Sequence, residues 1–237
     1  MPETEGGGVF VSRGSQLRLK NLSISVLPDG TLIGSPVTLE LAYDLWPLWL
    51  RIAIVHERMA KEARARLESL SGSHDQRHAA ALDDETTAGM VAVAAAVFAV
   101  DAFYGSVCTR IDTPPPRGRR SRRYALIAET FKRAFLMSQP SSNALRQHLR
   151  EAFRFRDKSV HPSGEFRGAV RHPVMRVGVA VPHVAFRVEN AQALVTFVIS
   201  LIEQCAGVPK DRHKNLREWC KGIPPQILEL KRLREET

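Results

Sequence analysis

Apolar positions recur at helical spacing along most of this chain, and only two stretches turn toward strand-like alternation. From Gln16 to Val26 apolar and polar residues partly alternate (Leu17, Leu19, Leu22, Ile24, Val26), and Pro28-Asp29-Gly30 follows as a turn. Thr31 to Val37 then returns, which predicts an N-terminal β-hairpin. A long helix is expected from about Asp44 to Leu70. Asp44 is placed to cap it, Pro47 is tolerable in its first turn, and Glu57 to Glu68 reads as a charged, solvated half. A second helix covers roughly Asp84 to Arg110. A third follows from Tyr124 to Met137, with Tyr124, Ile127, Phe131 and Phe135 on one face. Pro140-Ser141-Ser142 ends it, and a fourth spans about Asn143 to Val160. Val174 to Ala180 and His183 to Glu189 read as a second hairpin about Pro182. Asn190 is then expected to cap a fifth helix, and two short charged helices finish the chain.

This pattern describes a mainly α protein, a helical bundle with an N-terminal β-hairpin and a second β-hairpin inserted after the fourth helix. It divides into an N-terminal extension over 1–43, a bundle over 44–206 and a charged helical tail over 207–237. A chain of 237 residues buries enough core to need no disulfide or metal staple. The three cysteines, Cys108, Cys205 and Cys220, are scattered without metal-ligand spacing, which fits buried thiols in a reducing cytoplasm. The first ten residues, acidic and Gly-rich, read as disordered and as no secretory signal. The longest apolar run, Met90 to Val100, is too short to cross a bilayer, so a cytoplasmic location without membrane contact is expected.

A net charge of +9 favours polyanionic partners without deciding fold or catalysis. Five arginines fall within Arg117 to Arg123, directly after a run of prolines. That segment is either a solvated linker or an arm whose Arg119, Arg120, Arg122 and Arg123 grip phosphates. His74 and His78 share helical spacing but have no third ligand in view, so they read as surface residues and no metal is expected. Trp46 and Trp49 read as core anchors rather than a base-stacking platform. P-loop, dinucleotide, zincin and nucleophile-elbow motifs are all missing from the sequence.

The fourth helix carries an anomaly. With Leu145 at zero and about 100° per residue, Leu149, Ala152, Phe153 and Val160 form one apolar stripe, and Arg156 falls inside it at about 20°. A guanidinium there needs a carboxylate or a cleft, and Asp101, stranded on the apolar second helix, is the candidate partner. Asp157 and His161 lie toward the edge, with Arg154 and Lys158 around and beyond it. His161 precedes Pro162, which ends the helix there and sets the imidazole at the negative end of the helix dipole. His172 and His183 flank the second hairpin, within conceivable reach of His161.

The run Arg156-Asp157-Lys158-Ser159-Val160-His161-Pro162 resembles the signature of HEPN-domain proteins, an Arg and a His five residues apart at a helix end. The wider context, Phe98-Ala-Val-Asp101-Ala-Phe-Tyr104 followed by an amphipathic helix and the motif helix, is also similar, over roughly Asp84 to Ala206. The resemblance implies a homodimer with facing motifs and, in many members, a metal-independent endoribonuclease of toxin–antitoxin or antiphage systems, without cofactor. Arg156 would bind the scissile phosphate, His161 would act as general acid or base, and Asp157 would orient it. Arg154 and Lys158 would add substrate contacts, with RNA as ligand and an antitoxin or regulatory protein as a further partner. The family includes members without nuclease activity. The alternative is therefore a non-catalytic dimerisation or regulatory module in which Arg156 is locked to Asp101. A DNA-binding regulator ranks last, for want of a helix-turn-helix pattern.

Overall fold

The computed structural model describes residues 15–20, 23–34, 38–70, 76–113, 122–160 and 167–236. The first ten residues, His74, the connector holding Arg119 and Arg120, and His161 with Pro162 lie outside them. The chain divides into two compact units, Met1–Leu45 and Trp46–Thr237.

In the first unit, β1 (Ser15–Lys20) pairs antiparallel with β4 (Thr38–Tyr43), and β2 (Ile24–Val26) pairs with β3 (Leu32–Gly34). The hairpin is therefore two short ladders, and its return runs on to Tyr43 rather than stopping at Val37. Its turn has a local cause. Gly30 takes φ 83°, the left-handed region open to glycine, and the Asp29 carboxylate accepts the Thr31 N–H at 2.9 Å.

The second unit is helical. Helix α1 (Trp46–Ser69) runs antiparallel to α2 (Gln76–Cys108), since Trp46 meets Phe103 at one end and Arg64 meets Glu85 at the other. Helix α2 begins well before Asp84 because Ala81 and Leu82 bury against Leu67 and extend its apolar face. Gly89 is required where it stands, since a Cβ there would lie 1.8 Å from the Phe186 carbonyl oxygen. One stretch of α2 is apolar enough for a membrane span, yet 61% of it is buried inside the protein, the packing of a core helix.

Helix α3 (Arg123–Ala134) stops short of Met137 because Phe135 is extended and bridges to Pro209. Helix α4 (Gln139–Val160) starts before Pro140 rather than after it. Ser138 Oγ accepts the Ser141 N–H at 3.2 Å, and a proline in the first turn loses no helical hydrogen bond.

The second hairpin is much smaller than the alternation of valines suggests. Only β5 (Val170–Arg171) and β6 (Gly178–Val179) pair, around a turn in which Arg176 takes φ 58°. The expected second strand is instead α5 (Val181–Ala185), with Pro182 in its first turn, followed by α6 (Val188–Gly207). Asn190 does not cap α6 but sits inside it. Its amide donates back to the Ala185 and Val184 carbonyls at 2.9 and 3.3 Å, closing the end of α5.

Helices α7 (Lys214–Lys221) and α8 (Ile223–Glu235) contribute Leu216, Ile223, Ile227 and Leu230 to the same core as α1 to α4 and α6. At its centre, Phe103 meets Trp46, Phe131, Phe135 and Trp219, with ring centroids 5.3–6.3 Å apart. Trp46 is thus a core anchor, and Trp49 packs beside it against Phe98. Burial pushes the Cys220 thiol up to about 12 and raises that of Cys205 further, so both are inert packing groups.

Candidate functional site

Helix α4 buries Leu145, Leu149, Ala152 and Phe153, and its apolar stripe ends there. Arg156 follows one turn after Ala152, at the margin of the core rather than inside it. Its guanidinium lies over the Phe153 ring, 4.7 Å from the centroid. From there Nη2 and Nε donate to Asp157 Oδ1 at 2.5 and 3.1 Å. The Arg156 side chain keeps 25% of its exposure and that of Asp157 keeps 54%. Stacking on the aromatic face and the pair with its sequence neighbour together orient the guanidinium without burying it.

The last turn of α4 gathers more positive charge. Lys158 lies 5.2 Å from the Phe155 ring centroid, and Phe155 packs toward Phe186 and Ala92. Arg154 is exposed and pairs with Glu151 at 3.0 Å. Ser159 Oγ donates to the Arg156 carbonyl at 2.6 Å, satisfying one of the helix-end acceptors. Val160, the final helical residue, is exposed. Four of the predicted residues (Arg154, Arg156, Asp157, Lys158) thus share one accessible helix end, and His161 falls just outside the described residues.

Asp101 does not pair with Arg156. Its Oδ1 accepts Arg123 Nε at 2.6 Å, and the Arg123 guanidinium stacks 4.3 Å from the centroid of Tyr104. The reason is local. Arg123 opens α3, and Asp101 and Tyr104, three residues apart, share one face of α2 that supplies both a carboxylate and a ring. Arg123 is therefore partly engaged, whereas Arg122, just ahead of α3, is exposed.

A second charged group escaped the sequence reading. The half of α1 expected to be solvated buries Glu57 and Arg64, at 0% and 7% exposure. Arg64 forks onto Glu85 of α2 at 2.6 and 2.9 Å and reaches Glu189 of α6 at 2.7 Å. Glu85 also accepts the Val188 N–H at 2.9 Å, closing the start of α6. Burial acts against the Arg64 charge, but the two carboxylates outweigh it and hold its pKa above the ordinary arginine value. Glu57 is held in turn by Arg234 of α8 and by Lys61. The signal was present in the sequence: Leu50, Ala53, Glu57, Ala60, Arg64 and Leu67 share one helical face.

His172 joins this group. It is fully buried, its Nδ1 accepts the Met175 N–H at 3.3 Å, and its Nε2 is buried without a partner. Burial first, and then the charge of Arg64, hold its pKa below the ordinary histidine value, so it is neutral. His183 Nδ1 lies 2.8 Å from Thr86 Oγ1. Because that hydroxyl donates to the Leu82 carbonyl, the imidazole supplies the proton of the second bond. His78, read as a surface residue, is instead 5% exposed. Among the described residues no cluster of three or more His, Cys, Asp or Glu is arranged to hold a metal ion.

No protein-family model matches the sequence, and no curated protein or solved structure matches the chain.

Proposed function

We propose that this chain is a metal-independent endoribonuclease of the HEPN type, acting as a homodimer in a toxin or defence system, with Arg156 and His161 as its reactive pair. The observation that carries this reading is the state of Arg156. It lies at the accessible end of α4, oriented by Phe153 and by its neighbour Asp157 rather than locked across the core. An exposed ion pair of this kind is worth about 0–1 kcal/mol, so a phosphate can take the guanidinium at little cost. The non-catalytic alternative relied on an Arg156–Asp101 pair, and Asp101 is engaged by Arg123.

The chemistry follows from the residue types. His161 removes the proton of a ribose 2′-hydroxyl, whose oxygen attacks the adjacent phosphorus. The bond to the 5′-oxygen breaks, and that oxygen takes up a proton from an acid group of the facing motif. Arg156 donates to the phosphoryl oxygens as their charge develops. The products carry 2′,3′-cyclic phosphate and 5′-hydroxyl ends. Arg154 and Lys158 supply backbone phosphate contacts around the scissile bond.

Purified protein incubated with cellular RNA in EDTA tests the reading, with product ends identified by their need for phosphorylation before ligation. Fragments with 5′-hydroxyl and cyclic phosphate ends, absent with His161→Ala, are expected. Intact RNA with a folded dimeric protein, or cleavage that needs a divalent metal, would sink it.

A further inference from the structure

Helices α1, α6 and α8 enclose a cleft of about 460 Å³, within the range of small-molecule sites. It shares no residue with α4 and stands whether or not the chain cleaves RNA. Lys61 comes from α1, Thr196, Ile199 and Ser200 from α6, and Lys231, Arg234 and Glu235 from α8.

Three features give the cleft a preference. The first is its charge. Glu57, with a side chain 1% exposed, faces both Lys61 at 3.2 Å and Arg234 at 2.9 Å. One buried carboxylate fixes two cations in place and leaves that wall positive. On the other side, Lys231 pairs at 2.6 Å with Glu203, but that pair is 38% and 51% exposed. Such a pair contributes little and yields to a better anion.

The second feature is a pair of hydroxyls. Thr86 and Thr130 bond back to the carbonyl one turn earlier at 2.8 Å, the usual habit of a helical threonine. Thr196 and Ser200, four residues apart on α6, line the cleft and make no such bond among the described residues. They bring two donors beside two ammonium groups and a guanidinium, a set that matches the oxygens of a phosphoryl group.

The third is Glu235 at the same cleft, an acceptor that would repel a second anion but receive a hydroxyl. Ile199 and the lysine stems supply apolar wall between these polar ends.

We propose that this cleft binds a polyol phosphomonoester, with its phosphate toward Lys61, Lys231, Arg234 and the α6 hydroxyls and an alcohol group toward Glu235. The test is a titration of full-length protein with glucose 6-phosphate, followed by backbone amide NMR and calorimetry. Inorganic phosphate, sulfate, chloride, glucose and a short RNA are run in parallel. Saturable shifts at Thr196, Ser200 and Lys231, with a Kd of about 1 mM or tighter, are expected. Inorganic phosphate should compete and glucose alone should not bind. Lys231→Met should weaken binding about tenfold or more and Ser200→Ala by a few-fold, both without loss of fold, because these side chains lie at the surface.

Silence at those amides would overturn the proposal. So would an equal response to sulfate and chloride, which would mean an adventitious ion only, or full affinity in Lys231→Met. Shifts produced by RNA but by neither phosphate compound would also overturn it, and would make the cleft a polynucleotide groove.

Discussion

Arg64 and Arg156 both stand on helices that pack into the bundle, and each touches a carboxylate, yet their surroundings differ in kind. Arg64 is closed inside three helices, forked onto Glu85 and tied to Glu189, and its partners come from 21 and 125 residues away. Arg156 leans on the Phe153 ring and pairs with the very next residue, at a helix end open to solvent. The first arrangement joins α1, α2 and the start of α6, so it belongs to stability. The second holds nothing distant together, so it leaves the guanidinium available to a ligand. What separates a structural arginine from a functional one here is the reach of its pairing rather than its position on an apolar stripe.

The contrast breaks most visibly if each group is damaged in turn. Glu85→Ala leaves the Arg64 guanidinium and the Val188 N–H short of a partner, and should cost about 3–5 kcal/mol in denaturant unfolding. Gly89→Ala drives a methyl into the Phe186 carbonyl and should cost about 1–3 kcal/mol by the same measurement, with α5 displaced. Arg156→Ala removes one ring contact and one exposed pair, and should cost no more than about 1–2 kcal/mol. A loss as large as that of Glu85→Ala would erase the distinction.

Acid sharpens the comparison further. His172 has a lowered folded pKa, so below about pH 6.5 the unfolded chain binds a proton that the folded chain does not. Stability is therefore fully present above that pH and declines as pH falls through the window beneath it. The slope from this one proton is at most about 1.4 kcal/mol per pH unit. Thermal melting of wild type against His172→Gln between pH 7 and about 5 should show the slope in wild type and its flattening in the variant. The smallest effects belong to the rim of α4. Arg154→Ala and Lys158→Ala should each weaken RNA binding a few-fold and lower its salt dependence by about one phosphate contact, as read in filter-binding or fluorescence titrations.

Much of the helical order was legible because periodicity is set by burial, and Trp46, Leu149 and Phe131 are buried as their spacing predicted. The limits of the elements were less so. Pro140 looked like a terminator, whereas Ser138 supplies the cap that lets the helix begin ahead of it. The Val-rich run after residue 173 alternates like a strand, but only two residues on each side find a partner, and Pro182 starts a helix instead. Charge misled in both directions. Glu57 and Arg64 read as solvated because their partners, Arg234, Glu85 and Glu189, are remote in sequence and invisible to a local pattern. Asp101 was matched with Arg156 by elimination, while Arg123, 22 residues away, had the shorter path to it. The helix end carrying Arg154, Arg156, Asp157 and Lys158 was legible, because four neighbours within one turn need no tertiary information to be placed together.

The most direct measurement pairs two readouts on one variant, RNA cleavage in EDTA and unfolding free energy, for Arg156→Ala against wild type. The account predicts cleavage by wild type that falls by a factor of about 10²–10³ in Arg156→Ala, the cost of losing one preorganised donor to the transition state, while stability changes by no more than about 1–2 kcal/mol. A variant that unfolds as Glu85→Ala does, or that cleaves as fast as wild type, would contradict it.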